Sequence, residues 1–283
     1  MRTVNTAPSL ATRNALPIYF ALTFAVSWGA VLMAVGFDGL GNPADLNRPL
    51  VYVAMLLGPS VAGLLAIGLV SGRAGFQELW SRLTRWRVRA HWYAIALLAA
   101  PLLAGALLFA LALISAEFLP PTFTAQGIAG AFALGLLPGL LVGLFEELGW
   151  TGFAVPAMRR RHGAVFTGVV VGLLWGAWHI VLFWERSSFA DPLAFGLLVA
   201  RLFAWVPAYR LLMVWVHDRT QSLPVVIVMH MSLVAVQFSL VPPLAEAASL
   251  TYVLGWAAVL WVAVAVVLVV DGRHRARSSA VPA

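Results

Sequence analysis

Residues 139–156 read GLLVGLFEELGWTGFAVP, an apolar run that contains two adjacent acids, Glu146 and Glu147, and no basic residue. An ionised side chain in hydrocarbon costs about 2.5–3.5 kcal/mol on translocon scales, so intramembrane carboxylates mark function by default. The run extends back to residue 128, far enough to cross about 30 Å of hydrocarbon at about 1.5 Å per residue. The rest of the chain is of the same kind. Of 283 residues, 62% are hydrophobic and only 10% charged, whereas soluble domains carry about 25% charged residues. Too little polar surface remains to cover a globule in water, and a soluble protein is excluded.

Apolar stretches at 15–37, 49–71, 91–116, 128–150, 163–184, 193–216, 222–242 and 249–270 predict about eight membrane helices. The expected fold is an all-α integral membrane bundle, with residues 15–270 as its single domain. Short connectors carrying Gly and Pro make neighbouring helices antiparallel. Residues 1–14 and the basic tail 271–283 lie outside the bundle, and Gly272 to Ala283 read as disordered. Every basic residue is arginine, which excludes lysine Schiff bases. With the N-terminus inside, fifteen of the eighteen arginines, Arg210 among them, fall in cytoplasmic segments. Arg48 and Arg186 fall outside, and Arg201 lies within a span. Both termini are therefore expected in the cytoplasm, with the protein in a bacterial cell membrane. The net charge of +7 is thus topological or directed at anionic lipid and requires no nucleic acid. Phe76, Leu79, Trp80, Leu83 and Trp86 recur at helical spacing among arginines of 73–89, which predicts an amphipathic helix lying in the interface.

With no cysteine, disulfides, thiolate zinc sites and cysteine nucleophiles are excluded. Nine of the eleven acids fall in loops or at span ends, leaving Glu146 and Glu147 inside. Of six histidines, His179 and His230 lie within spans five and seven. A lone membrane histidine is more often a hydrogen-bond partner between helices than a catalyst, and an arginine such as Arg201 can snorkel. Trp150, Trp175, Trp178 and Trp184 are assigned to packing or the interfacial belt. Two histidines together with two carboxylates carry more weight. A carboxylate in an apolar bundle suits general-base work on water, and an imidazole can share the proton or polarise the electrophile. Glu146, His179 and His230 are equally the ligand types of a catalytic divalent metal such as zinc, and residue types alone leave both readings open.

The order of these residues resembles the CAAX protease and bacteriocin-processing (CPBP, Abi) family of intramembrane proteases. The resemblance rests on Glu146 and Glu147 in EELGWTG, Trp175 and His179 in WGAWH, and His230 in VMHMS, and it covers roughly residues 80–240. It implies an eight-helix, CAAX-protease-like bundle that cleaves a peptide or protein substrate, membrane-associated or lipidated. By position, Glu146 would activate water with help from His179, Glu147 would orient, and His230 would stabilise the oxyanion. The mechanism would be of the metallo or the glutamate type.

Two positions depart from the family pattern. Its first motif, EExxxR, has Thr151 at the arginine position, and Arg201 is the expected substitute. Its third motif often carries Asn four residues after the histidine, where Val234 stands; Gln237 lies on nearly the same face as His230 and is the expected replacement. Straight helices would also hold His179, roughly 7 Å beyond the middle of its span, away from Glu146 near the cytoplasmic end of span four. A proton-coupled transporter is the second functional class, because buried Glu and His also build proton relays. A non-catalytic scaffold or immunity protein on the same fold is the third.

Overall fold

The computed structural model describes residues 14–39, 49–119 and 125–279. The assignments made for residues 1–13, for Asp45 and Arg48, and for residues 280–283 lie outside this set. Among the described residues the regular structure is entirely helical. In chain order the α-helices are α1 (Ala15–Gly39), α2 (Pro49–Leu83), α3 (Ala90–Ala112), α4 (Ala125–Gly149), α5 (Val155–Arg159), α6 (Ala164–Trp178), α7 (Ile180–Phe183), α8 (Pro192–Val199), α9 (Val206–Thr220), α10 (Leu223–Ser239) and α11 (Glu246–Ser279). Two π-helical turns, Trp150–Ala154 and Ala200–Ala204, join α4 to α5 and α8 to α9 into longer rods.

Six described segments are long and apolar enough to cross a membrane: Ala15–Phe37, Leu50–Leu83, Ala90–Ala112, Ala133–Arg159, Pro192–Thr220 and Glu246–Gly272. The chain is a multi-pass membrane protein. The remaining two expected spans appear as the shorter apolar helices Ala164–Trp178 and Leu223–Ser239. Some boundaries move for local reasons. At Gly72 the backbone turns to φ 52°, ψ −137°, a conformation open to glycine because it lacks Cβ, and the helix resumes through Leu83. This second part covers most of the stretch expected as an interfacial helix and ends at the turn at 84–89: Leu79 is buried while Phe76 and Trp80 face outward. Arg82 is pulled inward, and its Nη2 donates to Gly152 O at 3.0 Å. The disordered reading of Gly272 to Ser279 is corrected, because α11 continues through Ser279 with no Pro to interrupt it before Pro282.

Glycines set which helices touch. Gly135, Gly139 and Gly143 recur every fourth residue on α4 and lie directly on the α10 backbone at Ala235, Met231 and Ile227. A Cβ added at Gly143 would lie 2.9 Å from Ile227 O and 3.3 Å from His230 Cβ. Gly168, Gly172 and Gly176 repeat the device on α6, against Leu211, Pro207 and Leu202. In a membrane, where lipid competes for apolar surface, helices associate through such close small-residue contacts and through interhelical hydrogen bonds. Across α2, Ser60 Oγ donates to Phe145 O at 2.5 Å, which fixes the turn of α4 that precedes the glutamates.

Candidate active site

The glycine ridge of α4 runs straight into the site, since Glu147 is the next residue on that face after Gly143. With α10 held at backbone distance, His230 reaches it: His230 Nδ1 donates to Glu147 Oε1 at 2.8 Å. Arg210 closes on the same carboxylate from α9, with Nη1 2.8 Å from Oε2 and Nη2 2.9 Å from Oε1. The hydroxyl of Thr151, one turn later on the π-helical turn, also donates to Oε2. The side chains of Arg210 and Glu147 have no exposed surface. A bidentate arginine–carboxylate pair is the geometry that best offsets removing both charges from water.

Two expectations are corrected here. Arg201 does not replace the motif arginine; Arg210 does. The threonine at 151 is short enough to leave room beside Glu147, and the guanidinium arrives from another helix instead. Arg210 is also not a water-facing loop charge, being fully buried within the apolar segment Pro192–Thr220. Its signal was present in the sequence, in the apolar stretch VPAYRLLMVWV at 206–216, where a charge meets the same test that singled out Arg201.

Glu146 points the other way. Its Oε2 accepts the indole N–H of Trp175 at 2.6 Å, and the residue lines a cavity of about 380 Å³ together with Trp175, His179, Arg201, His230 and Gln237. Trp175 is therefore not mere packing. Its ring lies 4.2 Å beneath the Arg210 guanidinium carbon and 5.1 Å from the His230 ring, so it joins the Glu147 cluster to Glu146. Trp150 and Trp178 keep their packing role, edge to face with ring centroids 6.0 Å apart.

His179 sits where α6 ends. Its Nδ1 is 2.8 Å from Trp175 O; a carbonyl only accepts, so Nδ1 carries the proton. In the neutral ring this leaves Nε2 as the acceptor. The expected separation in depth does not occur, because His179 and Glu146 line one cavity. Trp175 is the link, one helical turn before His179 and bonded to Glu146. Gln237 and Val234 line the same cavity, which is consistent in placement with the substitution expected for the third motif.

Among the described residues no group of three or more His, Asp or Glu side chains is placed to hold a metal ion. Glu146, His179 and His230 share a cavity without forming a ligand set, so they do not fit a bound metal in this arrangement.

Residues 128–236 match the family model of type II CAAX prenyl endopeptidase Rce1-like proteins. A 50-residue stretch is 34% identical to CAAX prenyl protease 2 of Methanococcus maripaludis, covering 18% of this chain and 18% of that protein. The matched segment holds both glutamates, both histidines, Trp175, Arg201 and Arg210.

Proposed function

Because residues 128–236 match the type II CAAX prenyl endopeptidase Rce1-like family model, we propose that the protein is an intramembrane endopeptidase of the CAAX-protease type that hydrolyses a peptide bond with water. The observation that carries this reading is the shared cavity wall: one carboxylate, Glu146, and two imidazoles, His179 and His230, face a space lined mainly by apolar side chains. Glu146 takes a proton from water as the oxygen attacks the scissile carbonyl, and His179 Nε2 shares that proton. A protonated His230 donates from Nε2 to the oxygen that becomes negative. The C–N bond then breaks, and the proton held by Glu146 passes to the leaving amine. Glu147 does no chemistry in this scheme. It fixes the His230 ring through Nδ1 and is itself fixed by Arg210 and Thr151. General acid–base groups contribute roughly 10²–10⁴-fold each, and a donor to the oxyanion about 10²–10³-fold.

The substrate is a peptide or protein presented at or within the bilayer, in the cell membrane with both termini of the enzyme in the cytoplasm. No step is routed through a metal.

The test is cleavage of an apolar peptide library by purified protein in nanodiscs, read by mass spectrometry, for wild type, Glu146→Gln and His179→Ala. Wild type is expected to cleave after metal removal by chelation, and both variants to lose at least about 10²-fold while melting like wild type. Equal product from all three would reject the catalytic assignment. Peptide binding without cleavage by any of them would favour a scaffold.

A further inference from the structure

Arg201 was expected at Glu147 and is not there. It stands on the π-helical turn between α8 and α9 and lines two adjoining cavities: the one holding Glu146, His179 and His230, and a second of about 420 Å³. The two share Phe183, Arg201, Trp205 and Gln237 along their border. Among the described residues Arg201 makes no ion pair or hydrogen bond. Glu185 and Glu246 act on it through space, but neither approaches within ion-pair distance. The two other buried guanidiniums near the site are matched: Arg210 by Glu147, and Arg82 by the carbonyls of the 150–154 turn. The second cavity also contains Trp256, whose buried Nε1 has no partner. A partly buried, unpaired guanidinium in an apolar bundle is costly, and π-helical insertions recur at functional sites.

We propose that Arg201 is a specificity-determining residue that binds a carboxylate of the substrate on one flank of the scissile bond. The inference rests on the endopeptidase reading of the Glu146 cavity. A peptide whose scissile carbonyl lies at Glu146, His179 and His230 extends along the cavity toward Arg201. A carboxylate offers the guanidinium two parallel hydrogen bonds, and the apolar walls keep water from competing. The carboxylate is either the peptide's C-terminus or an acidic side chain near it.

The experiment uses full-length protein in nanodiscs of neutral lipid, repeated with anionic lipid, and three apolar decapeptides of one sequence. One ends in a free carboxylate, one in an amide, and one in an amide with a single Asp among its last three residues. Both kcat/KM of wild type and binding to the Glu146→Gln protein, by fluorescence anisotropy, are measured. The free acid or the Asp peptide is expected to exceed the neutral amide by roughly 10- to 100-fold, the range for a hydrogen bond to a charged group. The better of the two identifies the source of the carboxylate. Arg201→Gln is expected to level the three peptides, and Arg201→Lys to keep part of the preference. Binding and cleavage that do not distinguish the peptides would overturn the assignment and leave the endopeptidase reading intact. A preference that survives in Arg201→Gln would overturn it too, as would an Arg201 effect that follows anionic lipid in the nanodisc rather than peptide charge. Discrimination in binding without any cleavage would retain the subsite and reject the endopeptidase reading.

Discussion

Removing the Arg210 guanidinium is the sharpest test of how the site is held. Arg210→Met keeps an unbranched chain of similar length but leaves Glu147 with its Thr151 and His230 partners alone. Two of the four hydrogen bonds to the carboxylate disappear, along with the guanidinium charge bonded to it. Breaking a buried ion pair from one side costs about 3–5 kcal/mol because the remaining charge is stranded. Loss of the guanidinium over Trp175, 4.2 Å away, adds about 0.5–2 kcal/mol. Polar groups in a membrane also find partners in the unfolded state, which trims such values, so about 3–4 kcal/mol is expected. The assay is unfolding in mixed micelles with rising SDS, followed by tryptophan fluorescence. If stranding of Glu147 is the cause, Glu147→Gln/Arg210→Met should be more stable than Arg210→Met alone, with a coupling energy above about 2 kcal/mol. Thr151→Arg/Arg210→Met should also recover stability, because it places an arginine one turn from Glu147. A loss below about 1 kcal/mol, or a cycle additive within about 0.5 kcal/mol, would refute the reasoning.

Gly143→Ala should cost about 1–3 kcal/mol by overpacking, since its Cβ meets Ile227 O and His230 Cβ, whereas Gly105→Ala, with nothing within 4 Å, should cost nothing; equal melting of the two would remove the glycine ridge as the device that seats α10. Trp175→Phe keeps a ring beside Arg210 but deletes the indole N–H to Glu146, and turnover should fall about 10-fold with little change in melting; unchanged kcat/KM would mean that this contact does not tune Glu146. The natural absence of cysteine allows a clean test of orientation: Arg160→Cys should be blocked by an impermeant maleimide only from the cytoplasmic side and Ser187→Cys only from the outer side. Labelling of both from one side would overturn the proposed topology.

Much of the bundle is legible along the chain because a membrane helix is decided locally. Each apolar stretch must satisfy its own backbone hydrogen bonds, so length and composition are enough to predict helix over 15–37, and over 91–116, where the helix runs Ala90–Ala112. Scarcity of charge likewise singles out Glu146, Glu147, His179 and His230, since each would be expensive facing lipid. What a charge is bonded to is a different kind of fact. Arg201 and Arg210 stand nine residues apart on one rod, both in apolar surroundings, and nothing in their local sequence says which one meets Glu147. The choice follows from the azimuth of each on its rod, from the π-helical turn between them, and from the glycine contacts that bring α6 against α9 and α10 against α4. Trp175 reads as packing in the sequence for the same reason, because an indole N–H becomes a functional donor only once a carboxylate on another helix is placed within 2.6 Å of it. The sequence by itself determined that the chain is a membrane helix bundle with a few charges committed to its interior. Only the tertiary structure decided that Glu147 is spent on holding His230 and that Glu146 faces the cavity, because helix rotation and close approach are settled between helices.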